Sequence, residues 1–339
     1  MRYFMKSLPK NKTAIIYTIA LATILFAAVL GVVLGPTKLN LANAVSEIIN
    51  GNTDSTSARI LLYVRLPRVL ASLACGAALA VSGGVIQCVL ANNLASPSII
   101  GVNSGAGLAV TLCSAFGIIG GGQLSLFSFA GAFMAVMIVS IGARRWGASR
   151  GTVILMGVAL NAFFGAISDT VTTFIPEISI IGNNFKIGDF SAVTYAEVCP
   201  ATIIILCSIV IVFTLSNELN VLTLGDETAR SLGLNTNMIR VIFLLLSALL
   251  AGTAVSVCGL LSFVGLLVPH AVKRITSSEA KHLIPLCALF GAGFVTICDT
   301  LARVIFAPYE LPVGIIMAFL GAPFFIFILI KGKGEHRLA

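Results

Sequence analysis

Apolar stretches of about twenty residues recur along the whole chain, the length that carries an α-helix across the hydrocarbon core of a bilayer. Reading apolar runs against polar breaks gives ten candidate spans, at 14–35, 66–90, 98–118, 123–142, 151–175, 197–215, 238–258, 260–273, 283–305 and 311–330. The eighth is the shortest, with Pro269 and His270 near its end. Of the 339 residues 58% are hydrophobic and only 10% charged. A water-soluble domain carries about 25% charged residues, so this chain has too few to clothe a solvated surface. The alternating strands of about ten residues that build a membrane barrel are absent. The expected fold is an all-α polytopic membrane protein, one transmembrane domain over 1–339 with a cytoplasmic segment at 216–237.

Charge orients the spans. With the N-terminus inside, the inner segments hold 15 Lys and Arg and the outer ones 6. Basic residues favour the cytoplasmic side, so both termini are expected there. The net charge of +8 then belongs to inner loops, and no nucleic-acid partner is expected. The first apolar run covers about 22 residues, longer than the apolar core of a cleaved leader, although Ala42-Asn43-Ala44 resembles a cleavage site; it is read as an uncleaved span. The eight cysteines lie almost entirely inside apolar runs, with no CxxC pair and no His at ligand spacing. They read as small buried hydrophobes, and neither metal nor cofactor is expected.

Four polar islands interrupt the apolar pattern. "YVRLPRVLASLACGAALAVSGG" opens a span with Arg65 and Arg68, which the orientation places outside, against the usual bias. Arg303 falls on the same side, four residues after Asp299, a spacing that allows the two to pair across a helical turn. "LNVLTLGDETARSLGLN" reads as a short helix with fixed ends: Gly225 and Asp226 open it, Asp226 and Glu227 suit its positive end, Arg230 falls in the last turn, and Gly233 follows its end. It is either a solvated connector or a rigid lever for a cytosolic partner. "VLANNLASPSIIGVNSGAG" makes a polar turn through Asn92, Asn93, Ser96 and Pro97, either a plain turn or a constriction at a pathway's mouth. "GLLSFVGLLVPHAVKRI" carries His270, a structural hydrogen-bonding residue or a proton carrier. Gly76-AALAVS-Gly83 also resembles Gly252-TAVSVC-Gly259 in an oppositely directed span, a weak inverted repeat of the kind found in transporters.

Taken together, "RLPRVLASLACGAALAVSGGVIQ", "NNLASPSIIGVNSGAG", "LNVLTLGDETARSLGLN", "LSFVGLLVPHAVKRI" and "ELPVGIIMAFLGAPFFIFILI" resemble, in order and spacing, the FecCD-type permeases of bacterial ABC importers for ferric siderophores, haem or cobalamin. The resemblance implies a type II importer permease of about ten helices in the bacterial cytoplasmic membrane. It would pair with a second copy or a paralogue, with two ATPase subunits inside and a substrate-binding lipoprotein or periplasmic protein outside. It implies that Arg65, Arg68 and Arg303 receive carboxylates of the binding protein, which would explain the outward doublet. It implies that 225–233 couples to the ATPases, with Gly225, Asp226, Glu227, Arg230 and Gly233 as its markers. It places a cytoplasmic gate at Asn92 and Leu94, where Asn93 stands in the family's proline position, and a second at Ala148-Ser149, with Ser149 the stronger candidate.

No G-x-x-x-x-G-K-[ST] motif occurs, so ATP chemistry is expected from another polypeptide and the chain is expected not to be an enzyme. A secondary transporter is disfavoured by scarce carboxylates inside the spans, Asp169 being the one well inside. A membrane enzyme using His270 and Asp169 lacks any local catalytic cluster. Among cargoes, a ferric siderophore is expected, with haem and cobalamin as alternatives.

Overall fold

A computed structural model describes residues 10–37, 39–145, 149–276 and 279–335. In chain order the helices are α1 (Lys10–Val33), α2 (Leu41–Ile49), α3 (Thr56–Arg59), α4 (Leu66–Val89), α5 (Val102–Ala115), α6 (Gly122–Arg145), α7 (Arg150–Phe174), α8 (Ser179–Ile187), α9 (Tyr195–Thr214), α10 (Ser216–Thr223), α11 (Asp226–Ser231), α12 (Thr236–Cys258), α13 (Val264–Ile275), α14 (Ala280–Val304) and α15 (Val313–Glu335). A π-helical stretch, Ile60–Arg65, makes α3 and α4 continuous, and there is no strand among the described residues. The structure is thus all-α. Among the described residues seven helices are long and apolar enough to cross a membrane, and Val102–Ala115 and Val313–Ile326 are shorter apolar helices. The third and eighth candidate segments differ from plain spans. The former opens as a 3-10 turn, Pro97–Ile100, and the latter as an irregular stretch before α13.

Local chemistry fixes several helix ends. The side chains of Ser55, Ser149 and Asn235 accept from the backbone N–H three residues on, supplying a partner that a helix start lacks. Thr194 and Glu197 form a reciprocal capping box at the start of α9.

α4 is the axis of the bundle. Within its apolar window 78% of residues are buried, against 17% for α1 and for α7, so those two turn most of their apolar surface outward. Close approach to α4 depends on glycine. Gly76 and Gly291 of α14 face one another so tightly that a Cβ on either would overlap the other's carbonyl oxygen. Gly83 meets the Gly265 carbonyl of α13 in the same way. Small residues let helix backbones touch where lipid gives no hydrophobic drive to associate.

The inverted repeat read from Gly76–Gly83 and Gly252–Gly259 has a packing counterpart. The repeat equates α4 with α12, and so α6 with α14. In the structure α4 packs extensively on α14, α12 packs extensively on α6, and α4 and α12 pack on each other. Exchanging the two halves maps these contacts onto themselves. Both short helices also follow a left-handed residue, Gly101 (φ +97°) before α5 and Phe263 (φ +67°) before α13.

Candidate functional site

The charged side chains gather at the two ends of the bundle. At the end read as outer, Arg68 at the start of α4 is 3% exposed. Its Nε donates to both Asp299 carboxylate oxygens, at 3.1 and 3.2 Å, and Nη2 donates to Oδ1 at 3.0 Å. Nη1 donates to Glu310 Oε2 at 2.6 Å, and Asp189 Oδ1 lies 3.8 Å from Nη2. Asp299, itself fully buried, also pairs with Arg303 at 3.2 Å, the i,i+4 contact expected from spacing. Arg303 reaches the Gly31 carbonyl of α1 at 3.2 Å. Arg65 donates to the carbonyls of Val32, Val33 and Thr37 at 2.7 to 2.8 Å, satisfying acceptors that the end of α1 leaves open.

Within this chain Arg65, Arg68 and Arg303 are each 2–3% exposed and have hydrogen-bond or ion-pair partners of their own. A guanidinium that begins an apolar helix must be paired to be buried. Asp299, Glu310 and Asp189 supply that pairing from distant parts of the sequence. Asp189 and Glu310 received no role in the sequence reading, although Glu310 sits eleven residues after Asp299.

At the opposite end, α10 and α11 form a bent unit hinged at Gly225 (φ +105°). Gly225 is the residue that precedes α11, so Asp226 does not cap it. The Asp226 carboxylate instead accepts from Arg240 of α12 at 2.7 and 2.8 Å and from Arg150 of α7 at 3.1 Å. Arg150 also donates to the Leu222 carbonyl of α10 at 2.8 Å. Burial alone would raise the Asp226 pKa, but the two guanidiniums outweigh it and hold the carboxyl below the usual carboxylate range. Gly233 (φ +83°) ends the unit in the expected way: Leu234 N–H bonds the Ala229 carbonyl and Gly233 N–H the Arg230 carbonyl. Arg230 Nε donates to Thr236 Oγ1 at 3.2 Å, and Glu227 is exposed. One carboxylate therefore ties this short two-helix unit to two long helices. Beside it Leu224, Leu232 and Met238 are 56%, 63% and 60% exposed.

The gate candidates lie at this same end. α4 closes with Ala91 in the left-handed region (φ +47°), and Asn92 Oδ1 accepts from Leu94 N–H at 2.9 Å, a local turn that leaves Leu94 46% exposed. Ser149 caps α7, accepting from Thr152 N–H at 3.3 Å, and Ala148 lies outside the described residues. No hydrogen bond joins Ser149 to Asn92 or Leu94 among the described residues. Asn93, in the family's proline position, accepts from Lys273 Nζ at 3.1 Å. His270 and Asp169 line separate cavities and form no joint site. Among the described residues no group of three or more His, Cys, Asp or Glu could hold a metal ion.

A helical membrane bundle with an inverted repeat, an ion cluster at each end and a short two-helix unit defines the class, a polytopic transport protein. The chain belongs to the FecCD transport family, whose model matches residues 22–331. It is 35% identical to the hemin transport system permease protein HmuU of Yersinia pestis, over 85% of this chain and 88% of that one. It is 33% identical to the Fe(3+) dicitrate transport system permease protein FecC of Escherichia coli (strain K12), over 86% and 89%. A solved structure described as a metal-chelate type ABC transporter in an inward-facing conformation superposes with a TM-score of 0.81 at 26% identity, covering 94% of this chain and 99% of the other.

Proposed function

We propose that this chain is the permease subunit of an ABC importer that carries a ferric siderophore through the cytoplasmic membrane, with its termini and the α10–α11 unit in the cytoplasm. Family membership over residues 22–331 supports transport, and relatives named for hemin, Fe(3+) dicitrate and Fe(3+)-hydroxamate support an iron-chelate cargo. The observation that carries the mechanism is the Asp226 clamp. A short unit with apolar side chains exposed beside it, tied through one carboxylate to α7 and α12, suits a lever that an ATPase pushes. Two ATPase subunits would seat on Leu224, Leu232 and Met238, and their closure would move α7 and α12 through Arg150 and Arg240.

A binding protein would dock at the opposite end, with a second permease copy or a paralogue completing the pathway. Arg65, Arg68 and Arg303 serve docking indirectly in this reading: they fix the ends of α1, α4 and α14, and with them the rim that carries Phe306 and Tyr309, which are 58% and 80% exposed. Asn92, Leu94 and Ser149 would form the cytoplasmic closure, moved by the neighbouring lever.

Uptake of radiolabelled iron tests the reading. Cells with and without this chain, in a strain lacking every related permease, would receive a panel of ferric siderophores, with haem and cobalamin in parallel. Loss of one ferric siderophore's uptake on deletion is expected, with rescue by the wild-type chain but not by Leu232→Asp. Loss of haem or cobalamin uptake alone would replace the cargo, and ATP-independent uptake driven by a proton gradient would overturn the ABC reading.

A further inference from the structure

A cavity of about 430 Å³ opens at the Asp226 end of the bundle, between the last turn of α4, the C-terminal turns of α13 and α10. Its chemistry is one-sided. Gln87, Asn93, Thr223, His270, Lys273 and Arg274 line it, and no carboxylate among the described residues does. Lys273 Nζ donates only to neutral acceptors, Gln87 Oε1 at 2.9 Å and Asn93 Oδ1 at 3.1 Å. Neither Lys273 nor Arg274 forms an ion pair among the described residues. His270 Nε2 is shielded from solvent and has no hydrogen-bond partner. Two cations without an ion pair around one cavity leave its positive charge uncompensated.

We propose that this cavity binds a small multivalent oxyanion of the phosphate class, and that doing so frees the segment after α4. The volume lies in the range of small-molecule sites, about 300–1,000 Å³, and exceeds the need of a single phosphate, which favours a diphosphate or phosphate ester. Both kinds of bond use the ionised Lys273 donor, but an oxyanion adds charge–charge attraction that a neutral amide oxygen lacks, so it outcompetes the two amide oxygens for Lys273. Asn93 then loses its tie to α13. Asn93 directly follows Asn92, so the ligand would loosen the segment proposed to close the pathway. That consequence, and the cytosolic origin of the ligand, rest on the proposed function; binding itself does not.

The experiment measures binding on the purified full chain, with no transport readout. Inorganic pyrophosphate is titrated calorimetrically into wild type, Lys273→Gln/Arg274→Gln, Asn93→Asp and Lys281→Gln. Saturable binding is expected for wild type and Lys281→Gln, and binding at least tenfold weaker for the double variant. Asn93→Asp supplies a built-in anion at the Lys273 ammonium; it is expected to weaken binding at least tenfold while the melting temperature holds or rises, which separates a filled site from an unfolded chain. Absence of saturable binding in wild type, or equal binding in all four proteins, overturns the proposal. Repeating the titration in phosphatidylcholine nanodiscs with and without phosphatidylglycerol identifies the source. Lys273-dependent competition by phosphatidylglycerol assigns the phosphate to a lipid headgroup, and undiminished binding assigns it to a soluble anion.

Discussion

Removing Arg68 tests whether the buried ion cluster holds α4 against α14. In Arg68→Ala, Asp299 loses three contacts of 3.0–3.2 Å and keeps only Arg303, while Glu310 loses its 2.6 Å partner. Breaking a buried pair by deleting one member costs about 3–5 kcal/mol, because the other charge stays buried. The retained Arg303 puts the expected loss near the lower end, about 3 kcal/mol. Asp299→Ala should cost a similar amount: Arg68 keeps Glu310, and Arg303 keeps the Gly31 carbonyl. In Arg68→Ala/Asp299→Ala neither partner of the pair is left to strand the other, while Arg303 lacks Asp299 as in one single and Glu310 lacks Arg68 as in the other, so those two costs cancel in the comparison. The double variant should therefore be less destabilised than the sum of the singles by about 2–3 kcal/mol, within the range found for residues in contact. Reversible unfolding in mixed detergent–SDS micelles reads all four corners. Additivity within about 0.5 kcal/mol would refute the clamp. The same variants decide between indirect and direct docking. If Arg68 met the binding protein itself, Arg68→Ala would weaken docking with stability unchanged.

The helix contacts and the lever give three further expectations. Gly83→Ala places a methyl against the Gly265 carbonyl, so it should destabilise by about 1–3 kcal/mol in the same unfolding assay, whereas Gly107→Ala, with open space around it, should be near neutral. Asp226→Asn should lower ATPase co-purification and quicken hydrogen exchange over 224–232, at a stability cost of about 1 kcal/mol or less, since the carboxylate is partly exposed. Because the folded carboxyl lies below its unfolded value of about 4, its contribution is full above pH 4 and is lost as pH falls through the folded value; hydrogen exchange across that acid range, with Asp226→Asn insensitive, checks the sign. Gly233→Ala meets no neighbour but must adopt φ +83°, a cost of about 1 kcal/mol visible as fraying of α11 in the same exchange experiment.

What was legible in the sequence is what local pattern encodes. Apolar run length marked the long helices, and glycine spacing marked both the repeat and the end of α11 at Gly233. The Asp299–Arg303 pair followed from helical periodicity. The illegible part is made of partnerships across the chain. Arg68 lies 231 residues from Asp299 and 242 from Glu310, and Lys273 lies 186 from Gln87. No periodicity reports such a contact. Asp226 shows the same limit at shorter range: its place at a helix start suited the positive end, and nothing in the local pattern reported Arg150 and Arg240 as its partners.

Counted by segment, the outer arginines are an excess of positive charge; burial changes that count. An arginine at the mouth of a packed bundle needs a counter-charge or a set of carbonyl acceptors from the fold, since a buried ion without either is costly; Arg65 has the second. Arg68 satisfies that condition with two carboxylates in direct contact and a third at 3.8 Å. Lys273 and Arg274 have no such carboxylate among the described residues, and they remain open to water at the rim of a cavity rather than inside the packed core. The useful distinction among the basic residues of this chain is therefore which of them the fold has already neutralised, and the oxyanion proposal follows from Lys273 and Arg274, which form no ion pair among the described residues and share one cavity.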